Sequence, residues 1–246
     1  MGGTPYYVSG TTLYSVNPLG VSSSLGTIIG AGRVSMANNG SKLCIVVPGS
    51  NAYVYDGTSL AQITDVDYRL SDTVVFKDGY FVFTSSDGSV FFNSELNDPS
   101  NIDPLDFGTA EINPDKIVAA HVNHNELFIL GEETIEIFHN VAGSGFPFQR
   151  IQGANIQKGC YAKFSPVEFD NTFLFVGGGK NERAGVWRVA SSQSAQKVST
   201  DAIDYAIQKF TSDEIAASFS TTFTIAGQFI AAFTFESTTI ESVTFC

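Results

Sequence analysis

Two histidines three residues apart, His121 and His124 in "HVNH", form the pair in this 246-residue chain that most resembles a metal site. A strand places residues three apart on opposite faces, so both imidazoles reach one ion only if a turn intervenes. A third ligand would still be needed, and His139, after "IEIF", is isolated. Asp98, Asp103 and Asp106 put three carboxylates into "NDPSNIDPLDFG" (97–108). Their spacing is not the alternating one of a compact calcium loop. A rigid, Pro-containing surface loop whose Asp and Asn side chains cap its own turns is expected instead. "VGGGKNERAG" (176–185) joins glycines to Lys180, but no Ser or Thr follows the lysine and the segment links strands, whereas a phosphate loop opens a helix. "SSDGSVFF" (85–92) approaches the Ser-x-Asp-x-Gly-x-x-Trp turn of some sugar-cleaving enzymes, yet Gly88 follows Asp87 directly and no Trp closes it. It reads as a hairpin turn. The only Trp, Trp187 in "GVWRV", is expected in the core of a strand. Cys44, Cys160 and Cys246 are widely spaced and contain no CxxC, so neither a zinc site nor a disulfide framework is supported and a reducing compartment is expected. Cys44, inside "LCIVV", reads as a small buried hydrophobe. No nucleophile–base series, paired catalytic acids or nucleotide fingerprint stands out. No catalytic residue, cofactor or metal is assigned, and a non-enzymatic protein is expected.

The elements that carry these residues are short strands. Hydrophobic residues make up 43% of the chain and charged residues only 15%, with 21 Phe, 9 Tyr and 23 Gly. That balance favours strands joined by turns, an all-β chain with enough apolar surface for a sizeable core. "VSMANNGSKLCIVVPGSNAYVYDGTSLAQIT" divides into strands at Val34–Ala37, Lys42–Val47, Ala52–Tyr55 and Ser59–Ile63. The separators "NNG", "PGSN" and "YDG" supply residues that tolerate positive φ. Comparable units run through "DTVVFKDGYFVF", "VAAHVNHNELFIL" and "SPVEFDNTFLFV", and their anchoring turns near Asn39, Asp78, His124 and Asp170 are spaced by 39, 46 and 46 residues. Four strands repeating at such a period predict a β-propeller of four-stranded antiparallel blades, with a long β-sandwich as the competing architecture. The expected layout is one propeller domain over 1–246. Full units lie near 32–65, 70–115, 117–157 and 162–199, and partial units at 4–29 and 213–246. The partial units either close the ring together or leave it incomplete, and a fragment of something longer is the reading favoured. Ile203, Ala206, Ile207 and Phe210 sit at helical spacing, predicting a short helix over 203–210. "TSDE" offers a further helix start with Thr211 or Ser212 as cap.

The formal net charge is −12 and unevenly spread. Residues 65–140 carry 15 acidic and 3 basic side chains, whereas 150–197 carry 7 basic and 3 acidic. Two faces of opposite sign that meet between neighbouring subunits would use this asymmetry. So acidic a chain is poorly suited to grip nucleic acid through phosphates, and no sequence-specific nucleic-acid binding is expected. The N-terminus "MGGTPYYVSG" has no signal-peptide pattern, Tyr6 breaks the myristoylation pattern, and no apolar run approaches the ~18 residues of a membrane span, so no membrane anchor is expected.

Three stretches carry a family resemblance: "GAGRVSMA" (30–37); "ETIEIF" (133–138) followed by "IQKGCYAKFSPVEFDNTFLFV" (156–176); and "AIDYAIQKFTSDEIAAS" (202–218). In this order and spacing, over most of residues 30–245, the chain resembles the packaged-DNA stabilization proteins of short-tailed bacteriophages, also called tail hub or head-completion proteins. Family members are longer, with an extension before the first blade and a large portion after the position of Cys246, so this chain reads as a shortened member. The resemblance implies a non-enzymatic virion protein of the tail, present in host cytoplasm during assembly. It implies a hexameric ring beneath the portal–adaptor assembly that retains packaged DNA and seats the tail needle and tailspikes. A carbohydrate-binding or glycan-active propeller is the alternative. "QRIQGANIQKGC" (149–160) reads as the neutral, polar outermost strand of its blade, crossing to the next. Arg150, Gln157, Lys158 and Lys163 in and beside it are the candidates for subunit contact.

Overall fold

Apolar runs become strands and the Asn, Asp and Gly separators become tight turns. A computed structural model describes residues 1–110, 115–143 and 145–246, which divide into two units. The first is Met1–Thr109 with Val141–Pro147, and the second is Ala110–Asn140 with Phe148–Cys246. Residues 111–114 of the expected unit 70–115, and Ser144 of the loop after "IEIF", lie outside the described residues.

The first unit holds three antiparallel sheets. They are β1 (Tyr6–Ser9), β2 (Thr12–Val16) and β3 (Ser22–Thr27); then β4 (Ser35–Asn38), β5 (Leu43–Val46), β6 (Ala52–Tyr55) and β7 (Leu60–Gln62); then β8 (Ser71–Lys77), β9 (Tyr80–Ser85), β10 (Phe91–Glu95) and β11 (Asp98–Gly108). The second unit continues with β12 (Ile117–Asn123), β13 (Glu126–Gly131), β14 (Ile135–Asn140) and β15 (Phe148–Ile156). Its second sheet combines β16 (Gly159–Cys160), β17 (Val167–Phe169), β18 (Thr172–Gly178), β19 (Gly185–Ser191) and β20 (Ser194–Lys197). Two helices, α1 (Asp201–Ile207) and α2 (Ser212–Ala217), precede a sheet of β21 (Phe219–Ile225), β22 (Gln228–Phe235) and β23 (Val243–Phe245). Small sheets that each run up and down in sequence order are propeller blades, and the chain is an all-β propeller protein.

Successive side chains on a strand point to opposite faces, and inner blade strands bury both. In β5, Leu43 and Ile45 pack with Leu13, Ile28 and Tyr53. Cys44 and Val46, between them in sequence, pack with Phe81, Phe83 and Phe92. In β18, Phe173 and Phe175 join Phe128 and Ile135, while Leu174 and Val176 join Ile207 and Phe233. Continuous apolar runs such as "LCIVV" and "TFLFV" follow directly from this double burial, since an alternating strand would leave one face polar. Each such side chain contributes about 1.5–3 kcal/mol relative to its exposed state. The turns are equally local in origin. Asp78 and Gly79 take φ of 51° and 92° between β8 and β9, the left-handed pair that joins twisted strands in register.

Two local expectations are corrected. Residues 97–108 are largely strand rather than loop: β11 pairs with β10 through Phe91–Gly108, Phe92–Phe107, Ser94–Ile102 and Glu95–Asp98, with register shifts between them. Pro99 and Pro104 can be tolerated because β11 is the edge of its sheet and its register shifts mark bulges, where a missing N–H costs no ladder bond. The helix expected over 203–210 lies slightly earlier, as α1, and the further start at Thr211 opens α2. Amides of Lys209 and Phe210 bond back three residues to Ala206 and Ile207, closing α1. Thr211 then restarts the backbone as an N-cap, in a capping box with Glu214.

Candidate functional site

The four contact candidates fall around the edge of the β12–β15 sheet and the chain that leaves it. β15 is the outermost strand of its sheet, as the polar stretch "QRIQGANI" requires. Arg150 lies opposite Phe138 of β14, and its Nη1 donates to the buried Glu136 carboxylate at 3.5 Å. Gln157 is exposed in the crossing between β15 and β16. Lys158, next in line, donates to Glu182 Oε2 at 2.5 Å and lies 4.3 Å over the ring of Trp187. Trp187 is half-buried on β19 rather than fully in the core, and its indole N–H donates to the Gly177 carbonyl at 2.9 Å. Lys163 is half-buried in the segment between β16 and β17.

Gln157 and Lys158 line a polar cleft of about 580 Å3 together with Asp115, Glu133, Lys180 and Glu182. Most of its charged groups are held within it, the exposed Glu132 carboxylate excepted. Lys180 reaches Glu133 at 3.4 Å, and Asp115 accepts the backbone amides of Glu133 and Thr134 at 2.7 and 2.9 Å. The hydrogen bond from Lys158, with that of the Gly179 amide, holds the Glu182 carboxyl below its ordinary range. Elsewhere in the same unit Arg188 pairs with Asp170 and Lys197 with Asp204. The basic stretch 150–197 is therefore largely neutralised within its own unit, rather than presented as a bare positive face.

Two glycines set the backbone geometry of this crossing. A Cβ on Gly159 would sit 1.9 Å from the Glu132 carbonyl oxygen, and one on Gly177 would sit 1.9 Å from that of Gly159. The chain leaves one sheet and enters the next with backbones in direct contact, which only glycine permits. "QKGC" and "VGGGK" carried that signal in the sequence, although neither shows what lies opposite.

The remaining chemical candidates separate. His121 is on β12 and His124 in the turn after it, with φ of 51°. His121 is half-buried, with its ring centroid 4.4 Å from that of Phe173 and its buried Nε2 unpartnered, and desolvation lowers its pKa to about 4. His124 shares a hydrogen bond with Asn171 at 3.0 Å. Asp87 closes its turn by accepting from Ser89 and Ser85, which holds its carboxyl down at about 2. Asp98 takes Lys42 at 2.8 Å. Among the described residues no cluster of three or more His, Cys, Asp or Glu is placed to hold a metal ion. A second cleft, of about 800 Å3, draws on Glu132, Tyr161, Arg183 and Tyr205, residues too far apart in sequence for spacing to have revealed it.

Comparison with known proteins places this geometry among relatives. The sequence profile of a family described as "Bacteriophage P22 Gp10, beta-propeller" matches residues 1–239. The tail hub protein gp10 of Salmonella phage P22 is 25% identical over 225 residues, covering 86% of this chain and 46% of that protein. The chain thus spans about half the length of this curated relative. Among solved structures, PorZ, a surface component of the type-IX secretion system of Porphyromonas gingivalis, aligns with a TM-score of 0.52 at 11% identity, over 98% of this chain and 31% of that one. The computationally designed protein Ika8 aligns at 0.47 and 13% identity, over 94% of this chain and 69% of its own. At such identities the structural likeness to PorZ is one of fold alone.

Proposed function

Because the chain belongs to the family of the phage P22 gp10 β-propeller, we propose that it is a structural, non-enzymatic protein of a phage tail hub, a virion component that acts by binding other virion proteins. The observation that carries this reading is the family match from residue 1 to 239. Its finer form places the protein below the portal–adaptor assembly as a homo-oligomer, a hexamer by family resemblance, that retains packaged DNA and seats the tail needle and tailspikes. The net charge of −12 supports a role beside DNA without adhesion to it. Negative walls repel phosphates, so a closed hub can hold the genome back and still release it freely.

Subunit contact through the β15 edge uses Arg150, Gln157, Lys158 and Lys163. The ion pairs of Arg150 and Lys158 give them fixed positions, which lowers the entropy lost on contact. The direct test mixes the purified protein with DNA-filled capsids that carry portal and adaptor but lack the hub, then sediments the particles. Co-sedimentation that depends on the portal–adaptor assembly is the expected outcome. Protein left entirely in the supernatant would count against the hub reading.

A further inference from the structure

The cleft of about 800 Å3 in the second unit lies where β16 and the turn after β18 meet the two helices. Its floor includes the buried Phe210 and Ala184. The polar and aromatic groups that line it come from four separate segments. Tyr205 of α1 stands 68% exposed, far more than an aromatic ring at a packed helix position. Lys209 lies 5.1 Å from the Tyr205 ring centre and supports it. Tyr161 is fixed in place because its hydroxyl donates to the carbonyls of Gly179 and Glu182 at 3.2 and 3.1 Å. Arg183 donates one N–H to Gln208 Oε1 at 2.5 Å, leaving four guanidinium N–H groups and the Gln208 amide N–H groups for other partners. The exposed Glu132 carboxylate accepts no hydrogen bond among the described residues.

Anchored rings beside planar bidentate polar groups, over an apolar floor, are what a molecule with both C–H faces and paired hydroxyls needs. Glu132 and Glu182 balance Arg183 and Lys209, so the lining is neutral overall and gives no net attraction for a phosphate or other anion. A strand-like peptide would need a free backbone edge several residues long, and β16 offers only Gly159 and Cys160, with the Glu132–Glu133 backbone packed directly against Gly159. We propose that this cleft binds a neutral saccharide of two or three rings, with Tyr205 and Tyr161 as stacking faces and Glu132, Arg183 and Gln208 as hydroxyl partners. The site is a binding site only, and it stands or falls independently of the hub reading.

Saturation-transfer NMR on the whole chain tests it, with a panel of trisaccharides built from glucose, galactose, mannose, rhamnose and N-acetylglucosamine. Transfer to at least one member is expected, with Kd on the order of 1 mM for so open a site. Tyr205→Ala, an exposed position that leaves melting unchanged, should weaken that binding at least tenfold, and Glu132→Gln about fivefold. Absence of transfer to every member, or transfer undiminished in Tyr205→Ala, overturns the proposal.

Discussion

His121 shows how far a single residue type misleads until its surroundings are known. In sequence it belongs to a pair with His124, but the structure packs its half-buried ring against Phe173 and leaves His124 in a turn. Burial favours the neutral imidazole, so the folded pKa of about 4 lies below the ordinary 6.5. The unfolded chain therefore binds the proton first as pH falls. Stability is complete above about pH 6.5 and declines as pH drops toward 4, by about 3 kcal/mol at the lower end. Denaturant midpoints from pH 7 to 4 should fall more steeply for the native protein than for His121→Phe, which cannot titrate there. Parallel curves would show that this imidazole is not the cause. Asp87, held at about 2 by Ser89 and Ser85, loses its contribution only below pH 4, in a separate window.

At the scale of elements, the chain was most legible where one physical cause acted alone. "KDG" and "SDG" mark turns because glycine takes positive φ there, and Asp78 takes it too. The unbroken apolar runs marked strands buried on both faces, and Ala52–Tyr55 falls where it was expected. The strand β11 was hidden because Pro99, Pro104 and its aspartates carry loop chemistry, and an irregular edge tolerates them. The break between α1 and α2 was half visible: Thr211 and Glu214 announced a start, but nothing before them announced a stop. The crossing at Gly159 was least legible, since its demand comes from the carbonyl of Glu132, 27 positions upstream (159 − 132). Gly159→Ala should destabilise by about 3 kcal/mol, the range of overpacked sites with no room to yield. Phe175→Ala, in the middle of β18, should cost about 4 kcal/mol. Urea unfolding measures both, and a Gly159→Ala midpoint equal to the parent's would refute the close approach.

For the whole molecule, the charge asymmetry seen in sequence takes a different form in three dimensions. Positive side chains from 150 to 197 mostly meet carboxylates of their own unit, so any contact they make with another subunit is through paired, positioned groups. Reversing Lys158 and Lys163 to Glu would put a new carboxylate against Glu182 and change the β15 flank. Losing the partly exposed Lys158–Glu182 pair together with the contact of Lys158 over Trp187 should cost about 1–2 kcal/mol, so the monomer should stay folded. Sedimentation velocity should then show weakened self-association in the double variant, and undisturbed association would remove this edge from the interface. Whether this propeller holds a packaged genome in place, as proposed, is read directly by nuclease sensitivity. DNA-filled capsids with portal and adaptor but no hub would be treated with nuclease before and after the protein is added. Particles that bind the protein should keep their DNA. Full digestion of the DNA in particles that carry the bound protein would contradict the proposal.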